Sequence, residues 1–188
     1  PTAGSITYGQ TLADSTITGG SVSVGGSWSW LDATIAPNAG TTSYTAVFTP
    51  TDSDNYNSVN RSLSVVTAKA SASVILSGLS AIYTGSAQGV SVETLPSGLT
   101  VDVTYDASSN LPTNAGSYAV SAIINDSNYT GSASDTFEIT AATPSITWPT
   151  ASEIRNPAAL GTSILTGGSA TFGTDSVSGT FAWATPSA

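Results

Sequence analysis

Two carboxylates stand two residues apart in Asp52-Ser53-Asp54-Asn55. A calcium ion takes about six to eight hard oxygen ligands, usually from several acidic side chains. Asp52 and Asp54 are therefore the calcium candidates, with Asp14, Asp32 or Glu138 as helpers at a domain joint. The run lacks the Gly and the distal Glu of an EF-hand loop, and its counterpart Asn125-Asp126-Ser127-Asn128 has a single carboxylate. Asx-turn chemistry accounts for both runs, so the sequence predicts no cofactor, with calcium as the alternative. Paired carboxylates also serve glycoside hydrolysis, but that needs a cleft and a raised pKa. A sandwich of about 70 residues has little room for either. Lys69 is a candidate for an intramolecular isopeptide bond, yet it sits in a joint rather than a core strand, and the other joint has no Lys.

Aromatic residues are the other candidates. Trp28 and Trp30 lie two apart, hence on one face of a strand, and Phe181 and Trp183 repeat the pattern. Together with Trp148 they would make a platform for stacking sugars. A feature repeated at one position of each module is more simply read as core, and the core reading is adopted here. Asn114, Gly116 and Tyr118 have the spacing of a tyrosine corner, in which the phenol bonds back to upstream backbone. Tyr44 is the matching aromatic after Asn38-Ala39-Gly40, two residues farther on, so a bulge or longer corner is expected there. Asn60-Arg61-Ser62, Asn125-Asp126-Ser127 and Asn128-Tyr129-Thr130 fit the glycosylation sequon, as chance provides in a chain of this composition.

Composition removes most other chemistry. Ser and Thr supply 61 of the 188 residues, and there is no His, Cys or Met. Without His or Cys the usual zinc, copper and haem sites are missing, as are a Cys nucleophile and an imidazole base. The expectation is a protein that is not an enzyme. Three basic residues, Arg61, Lys69 and Arg155, cannot neutralise a phosphate backbone, so nucleic acid is not the partner. A net charge of −9 disfavours anionic membrane surfaces, and no apolar run reaches the length of a membrane span. The hydrophobic share of 39% argues against disorder. The chain opens at Pro1 without a basic leader region, as expected of a processed or excised segment.

Repeats organise the chain. Asn38-Ala39-Gly40 recurs as Asn114-Ala115-Gly116, each after a Pro and before an aromatic strand. An Asx-rich turn ending in Asn55-Tyr56 recurs as Asn128-Tyr129. A third copy is expected near Pro144, with Ile146-Thr147-Trp148 echoing Ile6-Thr7-Tyr8, Leu165–Ser169 echoing Ile17–Ser21, and Gly179–Trp183 echoing Gly26–Trp30. The local period is two: Trp28 and Trp30, Tyr44, Ala46 and Phe48, Leu63 and Val65, Val101, Val103 and Tyr105, Phe137 and Ile139 all alternate with polar residues. Such alternation puts one face on a core and the other in water. Gly, Pro, Asn and Asp clusters separate the strands. The predicted class is all-β, as tandem immunoglobulin-like β-sandwich repeats.

Ile6-Thr7-Tyr8-Gly9-Gln10-Thr11-Leu12, Thr18-Gly19-Gly20-Ser21 and Phe48-Thr49-Pro50-Thr51-Asp52 resemble the MBG-type bacterial immunoglobulin-like repeats of the Tyr-Gly-x kind. Ile82-Tyr83-Thr84-Gly85 and Pro112–Tyr118 are similar to the sister Tyr-Asp-Gly type, with Thr84 in place of the Asp. The resemblance implies modules strung in arrays in large secreted or surface-attached bacterial proteins, adhesins among them, and carries no catalytic residue.

The domains expected are repeat 1 at 1–68, repeat 2 at 69–142 and an incomplete repeat 3 at 143–188. The function expected is a stalk, spacer or filament segment at an extracellular or cell-surface location. The alternative is an adhesin module taking carbohydrate or another surface on exposed aromatics. The third copy stops before any counterpart of Tyr44–Phe48 or Leu63–Val65, so Phe181 and Trp183 are expected to lack a facing sheet. Its completion would come from the parent chain or, by self-association, from a neighbouring copy.

Overall fold

The computed structural model describes residues 1–185. Its described residues are strands and turns, with two single-turn 3-10 helices at Leu12–Asp14 and Leu160–Thr162. No helix among them is long and apolar enough to cross a membrane. The sheets fall into three groups along the chain, in residues 2–68, 70–140 and 145–177, called here the first, second and third segments.

The first segment has a four-stranded sheet in the order Ile6–Thr7, Val59–Ala68, Gly40–Pro50, Gly26–Trp30. Its first pairing is parallel and the other two are antiparallel. The second segment has a four-stranded sheet in the order Ser80–Ile82, Ser132–Thr140, Gly116–Ile124, Val101–Tyr105, with the same senses. A second layer accompanies each: the pair Thr2–Ala3 with Ile17–Thr18, and the pair Ser73–Ser77 with Ser91–Leu95. Two such layers over one apolar interior make a β-sandwich.

Alternation decides which face is buried. Ala46, Phe48 and Pro50 on one strand, and Leu63, Val65 and Thr67 on the next, point inward while their neighbours face solvent. The first core gathers Ile6, Leu12, Trp30, Ala46, Leu63 and Val65. The second gathers Tyr105, Val120, Phe137 and Ile139. Each large apolar side chain so buried contributes about 1.5–3 kcal/mol. A slip of one residue would turn the whole set outward, so the registers are strongly fixed.

The third segment is different. Ser145–Thr147, Ser169–Phe172 and Asp175–Val177 form a three-stranded sheet, and Thr150–Ala151 pairs with Leu165–Thr166. Ser163 is the one buried residue among the described residues past 143. Phe181 and Trp183 are half-buried.

The structure agrees with the match of Leu165–Ser169 to Ile17–Ser21 and corrects that of Ile146-Thr147-Trp148 to Ile6-Thr7-Tyr8. Thr150 Oγ1 reaches the Thr166 carbonyl as Thr2 Oγ1 reaches that of Thr18. Ser163 Oγ donates to the Ser152 carbonyl at 2.6 Å as Ser15 Oγ donates to that of Gly4 at 2.6 Å. The counterpart of Pro1–Ser21 is therefore Pro149–Ser169, and Ile154 rather than Ile146 stands in the place of Ile6. Ile146-Thr147 belongs to a strand that precedes the copy and pairs antiparallel with Ser169 and Ala170. An apolar-Thr-aromatic triplet is compatible with any strand, so it carries little register information. The Ser-to-carbonyl ties carry much more.

Candidate functional site

Three aromatic residues tie the sheets together by their polar ends. Trp30, last in its strand, is buried, and its indole Nε1 donates to the Ser15 carbonyl at 2.8 Å. Trp183 donates in the same way to the Ser163 carbonyl at 3.1 Å. In the second segment Tyr105 ends the corresponding strand, and its hydroxyl accepts the Val90 N–H at 2.9 Å. Tyr105 was absent from the expected site residues because a Tyr replaces the Trp and the polar atom reverses from donor to acceptor. Its place as the last inward residue of Val101–Val103–Tyr105 was the available signal.

Trp28 is half-buried against Phe48, ring centroids 5.4 Å apart, and its Nε1 is buried without an acceptor among the described residues. Phe181 meets Trp148 at a tilt, ring centroids 6.3 Å apart, and Trp148 is 75% exposed. The Trp and Phe residues thus divide: Trp30 is core, Trp28, Phe181 and Trp183 are partly covered, and Trp148 faces solvent.

Tyr118 forms the tyrosine corner, its hydroxyl donating to the Asn114 carbonyl at 2.8 Å. Tyr44 packs half-buried against the first core. Removing one hydroxyl that bonds backbone costs about 0.5–1.5 kcal/mol. Tyr118→Phe is therefore expected to lower the stability of the second segment by about 1 kcal/mol, read by urea denaturation, with no change in its sheet content.

The carboxylates serve turns. Asp52 Oδ1 accepts the Asn55 N–H at 3.2 Å, and Asn55 Nδ2 donates to Oδ2 at 2.9 Å. Asp54 is exposed. Among the described residues no three His, Cys, Asp or Glu side chains gather where an ion would sit. Asp32 accepts the Thr34 hydroxyl at 2.6 Å and the Thr34 N–H at 2.9 Å. The side-chain bond first, then the backbone bond, hold its carboxyl below the ordinary range against slight desolvation. A depressed folded-state pKa gives support that is present above the ordinary carboxylate value and lost as pH falls through the lowered one.

Contacts between segments are concentrated at the Asn-Ala corner and the Asn-Tyr turn. Asn128 Oδ1 accepts the Ala39 N–H at 2.9 Å, and its Nδ2 donates to Asn38 Oδ1 at 3.3 Å. Tyr8 and Tyr129 meet edge to face at 5.2 Å. Lys69 Nζ donates to the Asp126 carbonyl at 2.6 Å, so the lysine ties the residue just past the first segment to the Asn-Tyr turn of the second. The connecting residues Ala70–Ser71 pair parallel with Tyr129–Thr130. Asp126 Oδ1 shapes the turn by accepting the N–H groups of Asn128 and Tyr129. At the next joint Tyr83 meets Phe172 at 5.5 Å.

The family model described as the MBG domain matches residues 72–143. Residues 72–143 are an MBG domain. No curated protein matches the chain. The MBG domain therefore contains both the Tyr118 corner and the Asn128-Tyr129 turn, and the Asn38-Ala39 corner that receives this turn lies outside it. Its match implies a repeat domain of a larger protein.

Proposed function

We propose that this chain is a spacer built of consecutive MBG-type modules, at 1–68, 69–142 and from 143 onward, in a secreted or surface-attached bacterial protein. It works mechanically and not as an enzyme. The observation that carries the reading is the joint between the first two segments: a bidentate Asn128 contact and an aromatic pair cross it, and they come from a turn to which the linking residues Lys69 and Ala70–Ser71 are themselves tied. A connection so built restricts bending, whereas a flexible Gly/Ser linker would leave the segments independent. A module whose longest strand is Gly40–Pro50 then converts sequence into reach, at about 35 Å per module from strand rise. Sparse Lys and Arg leave few tryptic sites, which suits an exposed location.

The test is a distance distribution across the joint. The chain has no Cys, so spin labels on Ser62→Cys and Ser117→Cys report it cleanly. A narrow distribution is expected, broadened several-fold by Asn128→Ala with Tyr129→Ala while the melting of the first segment stays unmoved. A native distribution already as broad as that of the variant overturns the reading.

The second reading is an adhesin module that takes carbohydrate on exposed aromatics. The exposed face of Trp148 favours it, and saturable quenching of tryptophan fluorescence by an oligosaccharide would support it.

A further inference from the structure

The first segment has an open groove of about 470 Å³ between residues 21–24 on one side and Tyr56, Asn57 and Val59 on the other, with Trp28 and Phe48 along it. That volume falls in the range of built binding sites, about 300–1,000 Å³. Val22, Tyr56 and Val59 are 46%, 48% and 57% exposed, so the groove presents apolar surface to solvent. Residues 21–24 belong to no strand.

The third segment shows what fits there. Its counterpart of residues 21–24 is Ser169–Phe172, a strand that pairs antiparallel with Ser145–Thr147 on one side and with Asp175–Val177 on the other. Ser145 faces Thr171, Ile146 faces Ala170 and Thr147 faces Ser169. Trp148 follows and packs at a tilt against Phe181, the counterpart of Trp28. The second segment shows the other wall in use. Ala70–Ser71, also just upstream of an opening strand, pairs parallel with Tyr129–Thr130, with Ala70 N–H donating to Asn128 O and Ala72 N–H to Thr130 O, both at 2.9 Å. Tyr56-Asn57 is the equivalent wall in the first segment. Each upstream strand thus pairs with one of the two walls: antiparallel with the counterpart of residues 21–24 in the third segment, and parallel with the counterpart of Tyr56-Asn57 in the second.

We propose that the groove is a strand-acceptor site whose occupant is an extended segment of the Pro-Ser-Ile-Thr-Trp type, presented by the end of a preceding module of the same kind. Backbone pairing to residues 21–24 supplies the hydrogen bonds, as in β-strand addition. The branched residue opposite Val22 and the aromatic beside Trp28 give the sequence preference. The spacer reading supplies only the source of the strand, and the groove is tested apart from it.

The experiment fuses a copy of residues 144–148 directly before Pro1, where the spacing of Trp148 to Pro149 places it. The first segment is expected to melt about 5 °C higher, the shift typical of one good contact set in a domain this size. The amides of residues 21–24 should gain protection from hydrogen exchange, and the Trp28 emission should shift to the blue. A second fusion with Asp in place of its Ile and Trp should give none of these. An unmoved melting midpoint with unprotected residues 21–24, in a fused chain whose second segment melts normally, overturns the proposal. So does an equal gain from the Asp-bearing control. The joint distance distribution is unaffected by either outcome, so failure here and failure of the spacer reading are distinguishable.

Discussion

Phe137→Ala is expected to destabilise the MBG domain by about 3–5 kcal/mol, the usual cost of emptying a buried aromatic site. Phe137 is 1% exposed, sits opposite Tyr118 across the sheet, and meets Tyr105 edge to face at 6.1 Å. The loss is a large part of what a domain of this length holds. Its melting transition should fall by at least about 12 °C. The transition of the first segment should stay in place, because its core of Ile6, Leu12, Trp30, Ala46, Leu63 and Val65 shares no residue with the second. Calorimetry reads both at once. A single transition that moves as a whole would mean one cooperative core, and the modular account would fall.

The second large effect concerns a glycine that no side chain can replace. A Cβ on Gly131 would fall well inside contact distance of the Ala72 carbonyl oxygen, with Ile124 Cδ1 at 3.1 Å. Backbone cannot give way as the end of a flexible side chain does. Gly131→Ala must push Ala70–Ala72 off Tyr129–Thr130, breaking the Ala72 N–H bond to Thr130 O. Overpacking of this kind costs about 1–3 kcal/mol. That pairing steadies Tyr129, which meets Tyr8 of the first segment, so the distance distribution between the first two segments should widen as stability drops. Gly179→Ala is the control: nothing among the described residues lies within 4 Å of its Cβ position, and its effect should stay within about 0.5 kcal/mol. Chemical denaturation of the three chains checks the order.

Much of this architecture is written in alternation. The inward faces of Gly40–Pro50, Val59–Ala68 and Ser132–Thr140 follow from period-two patterning, because each strand has one wet face. Asn114-Ala115-Gly116-Ser117-Tyr118 announced the corner, since the Tyr hydroxyl needs only a carbonyl four residues upstream. What the sequence hid was of two kinds. The joint links Asn128 to Ala39 across 89 residues, and nothing local distinguishes an Asn that caps its own turn from one that reaches another segment. The opening of the third copy was misplaced by eight residues because Ile146-Thr147-Trp148 imitates Ile6-Thr7-Tyr8 in residue type, whereas the match of Leu165–Ser169 to Ile17–Ser21 agrees with the structure. Ser163 and Ser15, which carry the true correspondence through their carbonyls and hydroxyls, look like ordinary members of a chain in which a third of the residues are Ser or Thr. Trp30 and Tyr105 hid a shared role behind different side chains.

The central claim is that consecutive modules are held in line so that length becomes reach. The most direct measurement is the radius of gyration of the whole chain by small-angle scattering. Three modules of about 35 Å each, set by strand rise, predict a radius of gyration of about 30 Å with a maximum dimension of about 100 Å. A single compact domain of this length would give about 16 Å, and a value near that would contradict the account.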